Sequence, residues 1–181
     1  MRKLLFSTIL LVILFSSVAY AKPLQPGAVF PDITLEGKLT ETHKSYLSLK
    51  GDGPWKINDL DTDHIIIEVY SMYCPHCQKE APAVNSFYDM LSESKECADI
   101  KFMGIAAGNS EFEIDFFKKK FGVEFPVFSD QDLNIHSEIG EPGTPHFFML
   151  KKEGISYKII ISHEGPFESP EKFLKTIKDN L

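Results

Sequence analysis

Cys74 and Cys77 lie three positions apart in the stretch SMYCPHCQKEAP (residues 71–82), with Pro75 and His76 between them. Two cysteines at this spacing can form half of a metal site, a structural cross-link, or a pair that cycles between dithiol and disulfide. A bridge across so short a loop removes little chain entropy, so a purely structural role explains the pair poorly. The spacing therefore favours reactive chemistry at the two sulfurs.

The elements around the cysteines are predicted to be a buried strand and a helix. The strand is HIIIEVY (His64–Tyr70), a nearly continuous β-branched run that is typical of a strand covered on both faces. The helix is expected from Pro75 to about Ser94, because proline suits the first helical position, where the missing N–H costs no hydrogen bond. The motif thus falls at the carboxyl end of a strand, where reaction sites of open α/β sheets are found.

The rest of the chain predicts a mixed sheet flanked by helices. Residues 23–50 are interpreted as a coil with a small hairpin, and GDGPW (residues 51–55) as a turn. After residue 99 the predicted elements are a strand over 100–107, a helix opened by a capping box at 110–113 and ending at Phe121, the extended piece FPVFSD, a helical turn within 133–139, a hairpin turning at 152–154, and a helix capped by Ser169-Pro170.

The predicted helix start gives the two cysteines different tasks. Unpaired N–H groups and the positive end of the helix dipole would stabilise a thiolate at Cys74, and the thiolate is the reactive species in disulfide exchange. His76 lies in the same turn and can favour that thiolate by charge or by an N–H donor; the alternative is a solvent-facing ring without effect. Cys77 lies one turn into the helix and is predicted to be the less exposed, resolving cysteine.

Glu68 is the only acid within HIIIEVY. A carboxyl group buried in an apolar strand has a raised pKa and can accept or return a proton near neutral pH. The alternative is a residue on an edge strand that points to solvent. Because the run is apolar on both sides of the alternation, we favour the buried interpretation.

These features together resemble a known family. CxxC at a strand-to-helix junction, Pro82 eight residues beyond Cys74, and Thr144-Pro145 before a hairpin and a terminal helix look like a thioredoxin fold. The segment from Asn109 to Ile139 resembles the exported TlpA/ResA-like branch, and the CPHC active-site stretch matches the dipeptide of the thiol oxidase DsbA. The resemblance covers most of residues 29–181.

The resemblance implies an α/β thioredoxin-like fold, with an N-terminal extension and a helical insert, and a protein thiol–disulfide oxidoreductase without a bound cofactor. It implies that Pro145 is cis and faces the cysteines, that the Thr144 backbone pairs with an extended substrate segment, and that Glu68 lies beneath the resolving cysteine. Its partners would be cysteine-containing proteins and a membrane redox protein that regenerates the pair. The TlpA-like scaffold suggests a reductase and the DsbA-like dipeptide an oxidase, so the redox direction stays open.

The first residues predict export. Arg2 and Lys3 precede an apolar run, and Ala19-Tyr20-Ala21 is a pattern that a signal peptidase accepts, which divides the chain into a signal peptide (1–21) and a domain (22–181) in a periplasmic or other exported location. An uncleaved N-terminal membrane anchor is the alternative. Cleavage would take the formal charge from −7 to −9, and without a basic stripe we expect no nucleic-acid partner.

Two other functions remain open for the same residues. A copper carrier could hold Cu(I) with Cys74, Cys77 and either His76 or His146, because thiolate and imidazole are suitable ligands, although no second CxxC or HxxxH completes a zinc site. A peroxidase is suggested by FPVFSD, but the local cysteine motif of peroxiredoxins is missing. Cys97 has no partner in the sequence and is interpreted as a partly buried free thiol, with an intermolecular disulfide as the alternative.

Overall fold

The computed structural model describes residues 22–181, so the signal peptide, its cleavage site and the alternative membrane anchor lie outside the described residues. The described chain contains eight strands, five α-helices and two short 3-10 helices (Ile57–Asp59 and Lys95–Cys97). In chain order the strands and α-helices are β1 (Val29–Phe30), β2 (Thr34–Leu35), α1 (Glu41–Tyr46), β3 (Trp55–Lys56), β4 (His64–Tyr70), α2 (Pro75–Glu93), β5 (Ile100–Ala107), α3 (Glu111–Phe121), β6 (Val127–Asp130), α4 (Asn134–Glu138), β7 (His146–Glu153), β8 (Ser156–Glu164) and α5 (Pro170–Lys178).

The main sheet has six strands in the order β1-β8-β7-β4-β5-β6. β4, β5 and β6 are parallel, whereas β7, β8 and β1 add antiparallel pairs on the other side of β4. β4 is therefore a central strand, and its Glu68 pairs with Gly104 of β5 and with Phe147 of β7. The predicted mixed sheet with parallel strand–helix alternation followed by an antiparallel hairpin is confirmed.

Both faces of β4 are covered, as its continuous apolar run predicts. Ile66 and Tyr70 belong to a core that includes buried side chains of α2, α3 and α5. Ile65, Ile67 and Val69 belong to a second core on the opposite face. Since side chains alternate along a strand, Glu68 lies on the same side as Ile66 and Tyr70, beneath the helix that carries Cys77.

The N-terminal extension differs from the predicted coil and small hairpin. It contains the helix α1, and β2 pairs with β3, whose Trp55 lies in the stretch predicted to be only a turn. The physical reason is tertiary: Leu35, Leu47 and Trp55 are buried in the second core, so the extension covers a sheet face. Thr40 caps α1 by accepting a hydrogen bond from the backbone N–H of His43 at 3.2 Å.

Local signals elsewhere gave accurate boundaries. The Ser110 N–H donates to the Glu113 carboxylate at 2.7 Å, so the predicted capping box is present at the start of α3. The hairpin turn lies at Gly154-Ile155, slightly later than predicted, and Gly154 has the positive φ of 65° that the tight turn requires. Within residues 22–181, none of the helices has both the length and the apolar character needed to cross a bilayer.

Candidate active site at the Cys74–Cys77 turn

Cys74 is the N-cap residue of α2 and has extended backbone geometry. Its Sγ accepts a hydrogen bond from the backbone N–H of Cys77 at 3.4 Å, so a helix N–H without a helical acceptor points at the reactive sulfur. Pro75 occupies the first helical position, as predicted. The sulfur therefore lies where backbone dipoles favour negative charge.

The loop before β7 contributes the second wall of the site. The Thr144–Pro145 peptide bond is cis, in agreement with the family resemblance. The Cys74 thiol donates a hydrogen bond to the Thr144 carbonyl oxygen at 3.2 Å, although 70 positions separate the two residues. The structure thus brings together the cysteine motif and the Thr-Pro pair, which the resemblance assigned to one site.

The surroundings of Cys74 favour its thiolate. Partial burial opposes ionisation, but it is outweighed by hydrogen bonds from the Thr144 side chain and from the backbone N–H groups of Cys77 and His76. The pKa of the Cys74 thiol is therefore lowered from its ordinary value. A lowered pKa at an accessible thiol is the property that disulfide exchange requires.

Cys77 has the opposite environment. Its side chain is 1% exposed, and burial strongly raises the pKa of its thiol. Ionisation of Cys77 therefore needs a group that accepts its proton. The predicted lower exposure of Cys77 is confirmed, whereas the roles of Cys74 as nucleophile and Cys77 as resolving cysteine stay a prediction.

Two buried carboxyl groups lie on the Cys77 side of the sheet. Glu68 is 4% exposed, and burial, reinforced by the negative charge of Glu80, raises its pKa to about 8. Glu80, one helical turn after Cys77, is 8% exposed and accepts a hydrogen bond from the Phe167 backbone N–H at 3.2 Å. Burial raises the pKa of Glu80 as well, against the opposing effects of that hydrogen bond and of His163.

Tyr70 completes this inner part of the site. Its ring is 1% exposed and packs on Phe117 with ring centroids 4.7 Å apart. Burial raises the pKa of the Tyr70 hydroxyl well above its ordinary value, and the charges of Glu68 and Cys77 add to this effect. Cys77, Glu68, Glu80 and Tyr70 are thus electrostatically linked, and we call these four residues the inner compartment.

Glu80 and Asn109 also belong to the site, although the sequence patterns did not predict them, and they serve different purposes. Asn109 is fully buried, and its Oδ1 accepts a hydrogen bond from the Met72 backbone N–H at 2.8 Å. Its Nδ2 donates to Ser71 Oγ at 3.4 Å. Asn109 therefore holds the loop that carries Cys74. The spacing of Glu80, three residues after Cys77 on one helix face, was an available signal for that residue.

The two histidines near the motif differ in exposure. The His76 ring is exposed, and the structure gives it no hydrogen bond among residues 22–181, so its proposed effect on the thiolate stays a prediction. His146 is 2% exposed, its Nε2 lies 2.9 Å from Ser162 Oγ, and its ring packs on Phe148. Burial lowers the pKa of His146 to about 4, so it is a neutral strand residue at neutral pH.

The remaining predicted ligands do not gather around the cysteines. Within residues 22–181, no group of three His, Cys, Asp or Glu side chains is arranged to hold a metal ion. Cys97 is 1% exposed, free, and part of the core beneath α2. Nothing in these positions favours the copper-carrier alternative over redox chemistry.

Comparison with known proteins agrees with this geometry. The profile of the Redoxin family matches residues 25–177. A curated relative named thiol-disulfide oxidoreductase ResA, from Bacillus thuringiensis (strain Al Hakam), is 26% identical over 187 aligned positions, which cover 97% of this chain and 96% of the relative.

Two solved structures share the architecture. One is a putative protein disulfide isomerase from Bacteroides thetaiotaomicron, with a TM-score of 0.67 and 19% identity over 87% of this chain and 91% of the other. The second is a secreted disulfide oxidoreductase of Mycobacterium tuberculosis, homologous to E. coli DsbE, with a TM-score of 0.59 and 20% identity over 83% of this chain and 96% of the other. The predicted thioredoxin-like fold is confirmed.

Proposed function

The chain belongs to the Redoxin family, and from that premise we propose that it is an exported thiol–disulfide oxidoreductase that exchanges disulfides with protein cysteines through its CPHC motif. The observation that carries this proposal is the contrast within one helical turn, between an accessible Cys74 that favours its thiolate and a buried Cys77 that resists ionisation. The name of the Bacillus thuringiensis relative supports the reaction class.

In the reducing direction, the Cys74 thiolate attacks a substrate disulfide. The bond between Cys74 Sγ and one substrate sulfur forms as the substrate S–S bond breaks, and the second substrate sulfur leaves as a thiolate that takes up a proton. We assign to the Thr144 backbone the pairing with the extended segment around the attacked cysteine, and its carbonyl contact with the Cys74 thiol supports this assignment. The product of this step is a mixed disulfide.

The second step requires a proton to leave Cys77. We assign the role of proton acceptor to Glu68. Its raised pKa is closer to the pKa of the Cys77 thiol than the pKa of an ordinary carboxyl group is, which makes the proton transfer less unfavourable. The Cys77 thiolate then attacks Cys74 Sγ, and the Cys74–Cys77 bond forms as the bond between Cys74 Sγ and the substrate sulfur breaks. The departing substrate sulfur takes up the proton that Cys77 gave to Glu68, so the substrate leaves as a dithiol. The substrate gains two electrons and the protein loses two, so a membrane dithiol partner must restore the reduced state. In the oxidising direction the same bonds form and break in reverse, and a membrane partner in its disulfide form takes up the two electrons.

A redox titration of the purified protein in glutathione buffers tests the proposal. We expect one reversible Cys74–Cys77 disulfide, which Cys74→Ser abolishes and Cys97→Ala preserves. A potential near about −120 mV would identify an oxidase, and one near or below about −270 mV a reductase. If no reversible disulfide forms at any glutathione ratio, the redox proposal is wrong.

Export is a separate part of the proposal and has its own test. It is supported by the basic start, the apolar run and the Ala19-Tyr20-Ala21 pattern. We expect N-terminal sequencing of the exported protein to begin at Lys22. A chain that retains its first residues and sediments with membranes would instead establish the anchored form.

A further inference from the structure

Three large aromatic side chains are exposed on the residue before the reactive cysteine and on α3. Tyr73 is 64% exposed, Phe112 is 79% exposed and Phe116 is 51% exposed. The other large apolar side chains that are exposed within residues 22–181 are aliphatic. Single exposed apolar residues are common on protein surfaces, whereas a group of aromatic residues next to a reactive atom indicates a binding surface.

The three side chains belong to one continuous surface. Tyr73 precedes Cys74 directly, and its hydroxyl donates a hydrogen bond to the carboxylate of Glu113 in the first turn of α3. Phe112 and Phe116 are four positions apart on the same helix, so they lie on one side of it, adjacent to Glu113 in the helix surface. We refer to Tyr73, Phe112 and Phe116 as the aromatic patch.

The aromatic patch is not used by the core of the protein. α3 is anchored by Ile114 and Phe117, which are 3% and 5% exposed. Phe112 and Phe116 lie on the other side of that helix, where their apolar surface is exposed to water. A bound partner would bury this surface, and removal of apolar area from water favours association.

Positive charge at one end of the aromatic patch indicates what kind of partner would bind there. The Lys120 Nζ atom lies 6.0 Å from the centre of the Phe116 ring, and Lys119 beside it is also exposed. Lys119 and Lys120 lie one helical turn beyond Phe116, on the side of α3 that carries Phe112 and Phe116. Glu111, Glu113 and Asp115 lie nearer the start of the same helix, so the positive charge is confined to the lysine end of the aromatic patch. The complementary partner therefore places an acidic side chain at that end.

We propose that the aromatic patch binds apolar side chains near the reacting cysteine of a polypeptide substrate, and that Lys119 and Lys120 bind an acidic residue of the same segment. This inference rests on the proposed function and specifies its substrate class: cysteine-containing segments with apolar and acidic residues close to the cysteine. A polypeptide is the occupant because Tyr73 directly precedes Cys74 and is hydrogen-bonded to α3, so a segment that reacts at Cys74 can continue over Tyr73 onto that helix, where the lysine end complements an acidic side chain.

The test compares exchange rates with peptides and with a small disulfide. Each peptide carries one cysteine as its glutathione mixed disulfide, flanked either by leucine and glutamate or by serine and glutamine. The double variant Phe112→Ser, Phe116→Ser should react with the leucine–glutamate peptide about fivefold or more slowly than the native protein, the scale of a modest interface contribution. Its rates with the serine–glutamine peptide and with glutathione disulfide should not change.

Ile155→Ser is the matched control, because Ile155 is an 89% exposed apolar residue in the β7–β8 turn. It should leave all three rates unchanged. Lys119→Gln, Lys120→Gln should lower the rate with the leucine–glutamate peptide and reduce its dependence on salt, because screening acts only on the charge contribution.

Several results would overturn the inference. An unchanged rate with the leucine–glutamate peptide would reject the aromatic patch as a substrate site, and an equal loss with glutathione disulfide would show a disturbed cysteine site instead. Loss of binding to anionic vesicles, or of a dimer, with no change in peptide exchange would assign the patch to a membrane or to a second copy of the chain. If the native protein does not react even with glutathione disulfide, the proposed function itself fails.

Discussion

Cys74 and Cys77 lie within one turn of the same helix and have opposite acid–base properties. Cys74 is accessible and receives hydrogen bonds that lower the pKa of its thiol. Cys77 is 1% exposed, and burial raises the pKa of its thiol. The spacing of the two cysteines alone therefore does not decide which is the nucleophile and which is the resolving cysteine. The burial of each sulfur decides its role. The end of the helix offers N–H groups at the protein surface, whereas the next helical turn packs against the sheet.

The largest effect is expected from removing the sulfur of the buried cysteine, Cys77. With Cys77→Ser we expect the mixed disulfide on Cys74 to accumulate and turnover of a disulfide substrate to fall by about 1,000-fold or more, since a nucleophile of the covalent cycle is lost. Non-reducing electrophoresis and mass spectrometry would detect the trapped species. Cys97→Ala is the matched control and should leave turnover intact. Trapping through Cys97, or none at all, would contradict the assigned roles.

The second test removes the buried acid. Burial raises the pKa of Glu68 from about 4.5 to about 8, so the folded state holds a proton that the unfolded chain has released. The free energy of unfolding should therefore fall as the pH rises from about 4.5 to about 8, by at most about 1.4 kcal/mol for each pH unit. In Glu68→Gln this contribution should disappear, because the amide does not titrate.

Urea unfolding of the reduced protein across this pH range measures the effect. Glu93→Gln, an exposed substitution at the other end of α2, is the control and should keep the native slope. An unchanged slope in Glu68→Gln would mean that burial does not raise the pKa of Glu68 in the folded protein, and the assignment of Glu68 as the proton acceptor of Cys77, which depends on that raised pKa, would be wrong.

A smaller effect is expected from the second acid of the inner compartment. Glu80→Gln keeps an oxygen that can accept the Phe167 N–H but removes the negative charge that opposes ionisation of Glu68. The pKa of Glu68 should fall, yet stay above its ordinary value, because burial is the larger cause. Carboxyl carbon NMR against pH would follow this directly. A rise in the pKa of Glu68 would show that the two carboxyl groups do not repel each other.

The smallest effect is expected on the outer side of the site. His76→Ala should raise the pKa of Cys74 only slightly, because the ring is exposed and water screens its charge, whereas the backbone N–H that favours the thiolate remains. Thiolate absorbance against pH measures the change, with Lys79→Ala, exposed on the same helix, as a control. An effect as large as that of a lost hydrogen bond would show that the ring contacts the sulfur in solution.

Local signals in the sequence predicted the parts of the fold that depend on neighbouring residues. The apolar run gave β4 from His64 to Tyr70, the capping box gave the start of α3 at Ser110, and Ser169-Pro170 gave the start of α5. The N-terminal extension was predicted poorly, because its helix is short and its strands have two residues each. Such elements are held by burial against the sheet, which no local pattern records.

Turns, caps and apolar alternation are properties of adjacent residues, so local sequence specifies the cysteine pair, the helix that begins between the two sulfurs, and the buried strand that carries Glu68. Folding of the whole chain brings Thr144 to Cys74, lets Asn109 hold the loop before that cysteine, and brings Glu80 near enough to raise the pKa of Glu68. These contacts join residues that are distant in sequence or lie on different elements. They exist because the sheet order places β4 between β5 and β7, and that order follows from packing of the whole chain.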